Sequence, residues 1–218
     1  MRRPEPEVLN LSVVIIGNFN PAIFQPEWLK NKGLIRENEA SPDNLKVIHP
    51  ELTVIETEDF SLEVRPSRFQ FKTSQEPFRE PLKDLIVNIF KLLGETPVSS
   101  FGINFTRHFK FIDNKDYVNF GYFLSPIQKI FDFMEQPKLL EFTVTDREKT
   151  KAEFDPAINI RIFPSDILTN NSVAINVNSH FSQSMNGKHF SKFFEEVWDK
   201  TLITSDSYLN NIWDKYTI

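Results

Sequence analysis

Two stretches in which apolar and polar residues largely alternate constrain the fold of this chain most strongly. GINFTRHF at residues 102–109 and AINVNSHF at residues 174–181 share the order small–Ile–Asn–apolar–polar–x–His–Phe. Successive side chains of a β-strand point to opposite faces, so each stretch places Ile and Phe on one face and Asn and His on the other. One buried face and one polar face are typical of antiparallel sheets. We therefore predict an antiparallel sheet that buries one face.

Apolar periodicity in the rest of the chain predicts helices and further strands. Apolar residues at helical spacing predict amphipathic helices over 81–94 and 190–202. Pro26 suits a first helical position and Gly33 a helix end, which predicts a short helix over 27–32. Residues 204–206, Thr-Ser-Asp, indicate a break and a new N-cap before a last helical stretch. A capping box at its start predicts a helix over 125–135. The predicted strands cover residues 11–19, 45–56, 61–72, 101–111, 117–124, 139–146, 157–163 and 173–181. The first of these strands is continuously apolar, so we expect both of its faces to be covered.

This order of elements predicts an α+β fold, with one or two predominantly antiparallel sheets backed by helices. The first half reads β-α-β-β-α-β, the order of a ferredoxin-like unit, and the second half repeats it in outline. The chain then divides into one α+β half at residues 1–112 and a second half with C-terminal helices at 113–218. The alternative is one continuous domain. The repeated motif supports a duplication, although half-buried strands share such a pattern without one.

A tandem β-α-β-β-α-β plan resembles the double ferredoxin-like plan of the repeat-associated RNA-processing proteins of CRISPR systems. The resemblance is confined to topology, because residues 182–218 contain a single glycine, Gly187, where that family has a Gly-rich C-terminal loop. What the resemblance implies is binding of RNA or single-stranded nucleic acid. No catalytic residue is carried over from that family. A metal-independent nuclease that uses His108 or His180 is the extreme form of this alternative function.

The composition argues against several chemistries. The 218 residues contain no cysteine, which excludes disulfides, thiolate nucleophiles and Cys-ligated metals. The four histidines lack metal-ligand spacing, and the Walker A, Rossmann and nucleophile-elbow patterns are missing. A net charge of −5 disfavours a protein that neutralises many phosphates. We therefore expect no cofactor and no metal site, and we favour a binding protein over an enzyme.

The polar rows of the two motif strands form the candidate binding face. Its members share one strand parity or lie on the predicted neighbouring strand, and they are Asn104, Thr106, His108, Lys110, Asn176, Asn178, His180, Arg68 and Lys72. The default interpretation is a solvated face without a ligand, and the functional alternative is a recognition face for a partner, peptide or nucleic acid. General-base catalysis by His108 or His180 is the weakest interpretation, since no Ser, Cys or carboxylate accompanies either in sequence. Arg107 falls on the apolar face, where it marks a rim of the sheet or pairs with a carboxylate.

Large aromatic residues gather near the C-terminus. Trp198, Trp213 and Tyr216 either cap the sheet or dock onto a partner or a second copy, because Trp and Tyr are favoured interface anchors. The apolar run at residues 13–16 is too short to span a bilayer, so we expect no membrane association. The lack of cysteine favours the cytoplasm, and we expect a bacterial protein. The sequence thus favours a non-enzymatic binding or assembly protein that acts through protein–protein contacts, with a partner or as a homodimer. The alternative is binding of RNA or single-stranded nucleic acid.

Overall fold

One antiparallel sheet organises the part of the chain that this computed structural model describes, residues 3–146 and 155–217. Within these residues the strands are β1 (Pro6–Gly17), β2 (Leu45–His49), β3 (Leu52–Glu56), β4 (Ser61–Arg65), β5 (Arg68–Thr73), β6 (Pro97–Lys110), β7 (Phe142–Asp146), β8 (Ala157–Pro164), β9 (Ser172–Phe181) and β10 (Met185–Asn186). The helices are α1 (Pro26–Asn31), α2 (Arg79–Leu92), α3 (Asn114–Leu124), α4 (Ile127–Ile130) and α5 (Gly187–Thr217).

The strands follow the order β2-β3-β4-β5-β1-β6-β9-β8-β7, and the short β10 pairs with β6. Every pairing is antiparallel. The predicted α+β fold, with an antiparallel sheet backed by helices, is confirmed. The tandem ferredoxin-like arrangement is not confirmed. One sheet crosses the boundary at residue 112, since β6 pairs with β9 over ten residues of each strand, from Phe101 opposite Phe181 to Lys110 opposite Ser172.

The helices cover one face of the sheet. Leu11, Val13 and Ile15 of β1 are fully buried on that face, whereas Ile16 on the opposite face is 38% exposed. The expectation that β1 is covered on both faces is therefore wrong. Helices α2 and α5 lie side by side on the buried face, and α5 also packs against β6 and β9. This arrangement leaves the other face of the central strands free of helices within the described residues.

Phenylalanine fills the space between the sheet and its helices. The rings of Phe90 in α2 and Phe190 in α5 have centroids 4.7 Å apart in an edge-to-face arrangement, and Phe190 lies 5.1 Å from Phe101 of β6. Ring pairs at such distances and angles are favourable beyond the area that they bury. The sequence has 22 phenylalanines against 3 tryptophans and 4 tyrosines, and this aromatic layer explains the excess.

Two predicted long strands are hairpins. Residues 45–56 form β2 and β3, and residues 61–72 lie in β4 and β5, with Pro50 and Pro66 in the turns between them. Proline has no N–H group to donate to a strand ladder, so these positions suit a turn better than the middle of a strand. The prolines thus mark chain reversals that the alternation pattern alone does not show.

The segment after β6 is helical where the sequence predicts a strand over 117–124. The Asp113 side chain accepts a hydrogen bond from the backbone N–H of Asp116 at 2.8 Å, which caps the first turn of α3. The helix predicted over 125–135 is also wrong, because α4 spans only Ile127–Ile130. The polar loop expected at residues 147–153 lies outside the described residues.

The predicted break at residues 204–206 is wrong as well, because α5 runs through it. The hydroxyl of Thr204 donates to the backbone carbonyl of Lys200 at 2.7 Å, and that of Ser205 donates to the carbonyl of Thr201 at 2.9 Å. Both hydroxyls are therefore bonded back along the helix and do not cap a new one. Ser and Thr can sit inside a helix in this way, although they favour caps.

Candidate functional site

The two motif strands lie next to each other and pair with each other. In the β6–β9 register Gly102 is opposite His180, Phe105 is opposite Val177, and His108 is opposite Ala174. The fourth residue of one motif thus faces the fourth residue of the other, and the first residue of each faces the seventh of the other. A local two-fold axis through the Phe105–Val177 pair therefore relates the two motifs.

This pairing explains why each motif begins with a small residue. A Cβ atom added to Gly102 would lie 2.8 Å from Nδ2 of Asn178, closer than real contacts allow. Ala174 is fully buried opposite His108. Side chains of the opposite strand occupy the space at both positions, Asn178 at Gly102 and His108 at Ala174. Each position therefore needs a small residue. The recurrence follows from antiparallel pairing, and the connections differ, because β6 follows a helix and β9 follows a strand.

A chain of side-chain hydrogen bonds crosses the polar face, and we call it the amide ladder. The hydroxyl of Thr145 donates to Oδ1 of Asn159. Nδ2 of Asn159 then donates to Oδ1 of Asn178 at 3.0 Å, and Nδ2 of Asn178 donates to Oδ1 of Asn104 at 2.9 Å. Nδ2 of Asn104 reaches the backbone oxygen of Ser12 at 3.4 Å. The ladder links five adjacent strands and uses one of the two N–H groups of each asparagine.

A second link runs parallel to the amide ladder. Nδ2 of Asn176 donates to the hydroxyl of Thr106 at 2.7 Å. All four of the predicted Asn and Thr side chains on β6 and β9 are thus partly buried and bonded to one another. The polar face is therefore organised by hydrogen bonds within the protein.

His108 is buried at one end of this face, with 1% of its surface exposed. Its Nδ1 lies 2.8 Å from the hydroxyl of Ser165, and its Nε2 lies 3.2 Å from Nδ2 of Asn10. Both ring nitrogens therefore have a hydrogen-bond partner within the protein. Burial lowers the pKa of His108 below its ordinary value, which keeps the ring neutral.

Ser165 joins this histidine to a loop. Its hydroxyl oxygen also accepts the backbone N–H groups of Ile167 and Leu168, at 3.2 and 2.9 Å. The Ser165–His108 contact therefore holds the turn between β8 and β9 against the sheet. With its ring buried and both nitrogens bonded within the protein, His108 has a structural position and offers no surface to a substrate. Sequence reasoning missed Ser165, which is 57 residues away in the chain.

His180 lies at the other end of the polar face and is partly exposed. It pairs with Gly102, which is six residues from His108 along β6. At about 3.3 Å per residue the two histidines are about 20 Å apart along the strands. They share a face, as predicted, but they do not share a pocket. The two histidines therefore cannot act together at one site, and general-base catalysis by either one is untested.

The predicted basic residues of the face are dispersed. Arg68 donates to the side chain of Gln70 at 3.2 Å and is exposed, as is Lys110. Lys72 lines an open cleft whose cavity volume is about 490 Å³. The cleft also contains the acidic residues Glu56, Glu58 and Asp59. Carboxylates therefore interrupt the positive charge on this side of the face.

Arg107 pairs with a carboxylate, one of the two interpretations that its position allows. On the helix-covered face it forms an ion pair with Asp206 of α5, and its guanidinium lies 4.9 Å from the ring centre of Phe105. The guanidinium of Arg79 stacks on the same ring, also at 4.9 Å. Burial lowers the pKa of Arg107, and the charge of Asp206 opposes that change.

The two C-terminal tryptophans belong to the core. Trp198 and Trp213 are fully buried, and Nε1 of Trp198 donates to Oε1 of Glu80 at 3.1 Å. A role for these side chains as interface anchors is therefore wrong, because Glu80 of α2 contacts Trp198, and Phe109 of β6 and Phe120 of α3 pack against Trp213. Tyr216 is partly buried, and its hydroxyl donates to the backbone oxygen of Asp116 at 3.2 Å.

Exposed apolar side chains concentrate in a region that the sequence did not single out. Eight of the 14 large apolar side chains that are exposed in the described residues lie between residues 112 and 144. Seven of them form what we call the apolar segment, namely Phe123, Ile130, Phe131, Phe133, Met134, Leu140 and Val144. The sequence predicted a helix over residues 125–135 from its capping box. Because that helix ends at Ile130, the side chains after it stay at the surface.

Comparisons with known proteins assign no family to this chain. No protein-family model matches it, and no curated protein matches its sequence. Among the described residues, no group of three or more His, Asp or Glu side chains is placed to hold a metal ion. No helix in the described ranges combines the length and apolar character needed to cross a membrane.

Proposed function

We propose that this protein is a non-enzymatic binding or assembly protein that acts through protein–protein contacts. The observation that carries the proposal is the apolar segment. Phe133 is 78% exposed and Leu140 is 75% exposed, and five further apolar side chains surround them in the sequence. Large exposed apolar patches mark interaction sites, and aromatic residues and Met are enriched in interfaces.

The polar face supports the same proposal as a secondary contact. Its amide ladder holds Asn104, Asn159 and Asn178 in fixed positions, with a second N–H group on each for a partner. Preordered side chains lose little entropy on binding. Because the ladder and Val144 of the apolar segment meet at β7, a partner on this edge of the sheet would contact both.

A nucleic-acid partner receives less support. Affinity for nucleic acids depends on basic residues that neutralise phosphates, and the chain has a net charge of −5. Lys72 is close to three acidic residues, and the guanidinium of Arg161 is paired with Glu141 at 2.8 Å. We therefore expect no binding of RNA or single-stranded DNA in a filter assay at low salt. Tight binding that falls steeply with salt would favour nucleic-acid recognition instead.

The apolar segment can be tested with a double variant, Phe133→Ser with Leu140→Ser. The tagged protein is cross-linked in cells and recovered proteins are quantified, with Ile203→Ser as the matched control. Ile203 is 70% exposed on α5 and lies outside the apolar segment. We expect the double variant to lose specific partners and the control to retain them. Because these side chains are exposed, each stability change should stay within about 0.5 kcal/mol. Equal recovery by both variants would refute the proposal.

A further inference from the structure

Strand β7 forms one end of the sheet. It pairs with β8 on one side, and no described strand pairs with its other side. A free strand edge presents unpaired N–H and C=O groups and is a template for another strand. Four of the five side chains of β7 are exposed.

The opposite edge, β2, carries features that discourage pairing and that β7 lacks. Its register contains a bulge between Leu45 and Val47, it carries Lys46, and Pro50 follows its last residue. Bulges, lysines and prolines are common means by which proteins protect an edge. Strand β7, FTVTD, has no lysine or proline and pairs with β8 in an unbroken register. The chain thus protects one edge and leaves the other suited to pairing.

We infer that β7 pairs antiparallel with β7 of a second copy of this chain, about a two-fold axis at Thr143. The inference rests on the proposed function, and it names a second copy as one partner of the surface that contains Val144. An antiparallel pair of identical strands is self-complementary and closes as a dimer. The ten-stranded sheets of the two copies would then form one continuous sheet.

The side chains of β7 favour this register. With Thr143 at the axis, Phe142 lies opposite Val144 of the second copy, and Val144 lies opposite Phe142. Aromatic and β-branched residues form favourable cross-strand pairs. On the polar face, Thr143 would lie opposite Thr143 of the second copy, and Glu141 would lie opposite Thr145 of the second copy. A register centred on Val144 would instead place Phe142 opposite the carboxylate of Asp146.

The length of the strand sets what else the dimer needs. With the axis at Thr143, residues 142–144 of β7 face the same residues of the second copy, an edge about 10 Å long at about 3.4 Å per residue. Such an edge alone buries less surface than a standard interface, which buries about 800 Å² per partner. Leu140 and Val144, which are 75% and 47% exposed, adjoin this edge and supply further apolar area. We therefore expect a dimer whose population depends on protein concentration.

A cysteine placed at the axis tests the inference directly. The natural sequence contains no cysteine, so Thr143→Cys introduces the sole thiol. Cβ atoms of directly opposed residues in an antiparallel pair are close enough for a disulfide. We expect mild oxidation to convert Thr143→Cys into a covalent dimer. The matched control, Lys46→Cys on β2, should cross-link much more slowly. Equal rates for both variants, or no cross-link at residue 143, would overturn the inference.

Two lysine variants test the register. Val144→Lys places a charge opposite Phe142 of the second copy, and Thr145→Lys places one opposite Glu141. Light scattering over a dilution series should show a monomer for Val144→Lys and a dimer for wild type and Thr145→Lys. Monomers for both variants would overturn the register, and a wild type that is monomeric at every concentration would overturn the inference. If the wild type is monomeric while the Phe133 and Leu140 variant still loses partners, the proposed function stands without the dimer.

Discussion

Gly102→Ala tests the steric relation between the two motif strands. The new Cβ atom would lie 2.8 Å from Nδ2 of Asn178, so the Asn178 side chain must move. That side chain donates to Asn104 and accepts from Asn159, at 2.9 and 3.0 Å. Two hydrogen bonds at about 0.5–1.5 kcal/mol each amount to about 1–3 kcal/mol. Replacing a strand glycine by alanine returns about 0.5–1 kcal/mol, so we expect a net loss of up to about 2.5 kcal/mol.

Equilibrium urea unfolding of a double-mutant cycle measures this loss. In an Asn178→Ala background the obstructing amide is gone, so Gly102→Ala should become neutral or stabilising. Gly121→Ala in α3 is the matched control, because the nearest atom to its new Cβ, the Leu139 Cβ atom, is 3.8 Å away. A helix favours alanine over glycine, so this control should gain up to about 1 kcal/mol. An equal loss for Gly102→Ala in both backgrounds would refute the steric explanation.

Three further predictions follow from the buried polar contacts and from α5. Because the folded-state pKa of His108 lies below its ordinary value, the unfolded state binds more protons as the pH falls through about 6.5. The stability advantage of wild type over His108→Gln should therefore shrink between pH 7.5 and the folded-state pKa, and a constant difference would contradict the buried neutral ring. Asp206→Asn leaves the Arg107 guanidinium without its carboxylate, and we expect a loss of about 1–2 kcal/mol in urea unfolding, because Asp206 is partly exposed. Arg107→Met with Asp206→Leu should recover part of that loss, and a double variant less stable than Asp206→Asn would argue against it. Thr204→Pro should cost about 3 kcal/mol of thermal stability if α5 is continuous, whereas an unchanged melting temperature would support a break at that point.

Local patterns predicted the two motif strands and their faces. Alternation placed Asn104, Thr106, Asn176 and Asn178 on one face, and the register confirms that they lie together. Parity is a local property that two neighbouring residues already define. For this reason the polar face could be predicted from the sequence.

The register between strands could not be predicted, because it depends on pairing between residues that are far apart in the chain. The sequence could not tell that β6 and β9 are antiparallel neighbours, which places His108 and His180 at opposite ends of the face. The hydrogen bond between His108 and Ser165 depends on the same long-range arrangement.

The apolar segment was missed for a different reason. Apolar residues between Ser125 and Glu135 have a helix-like pattern, and such a pattern predicts burial on one side. The helix ends after four residues at Ile130, so the pattern has no helix to bury it. Here the local preference and the tertiary structure disagree, as is common at functional surfaces.

Helix α5 also sets the order in which this protein can fold during synthesis. Its 31 residues, Gly187–Thr217, follow every strand of the described sheet and supply Phe190, Trp198 and Trp213 to the core. Until the ribosome releases them, the apolar face of β6 and β9 lacks its cover. Exposed apolar surface on a nascent chain invites aggregation or chaperone binding. The apolar face of this sheet is therefore covered only after α5 has left the ribosome, and a chain truncated at residue 203 would lose Leu209 and Trp213 from the core and fail to fold.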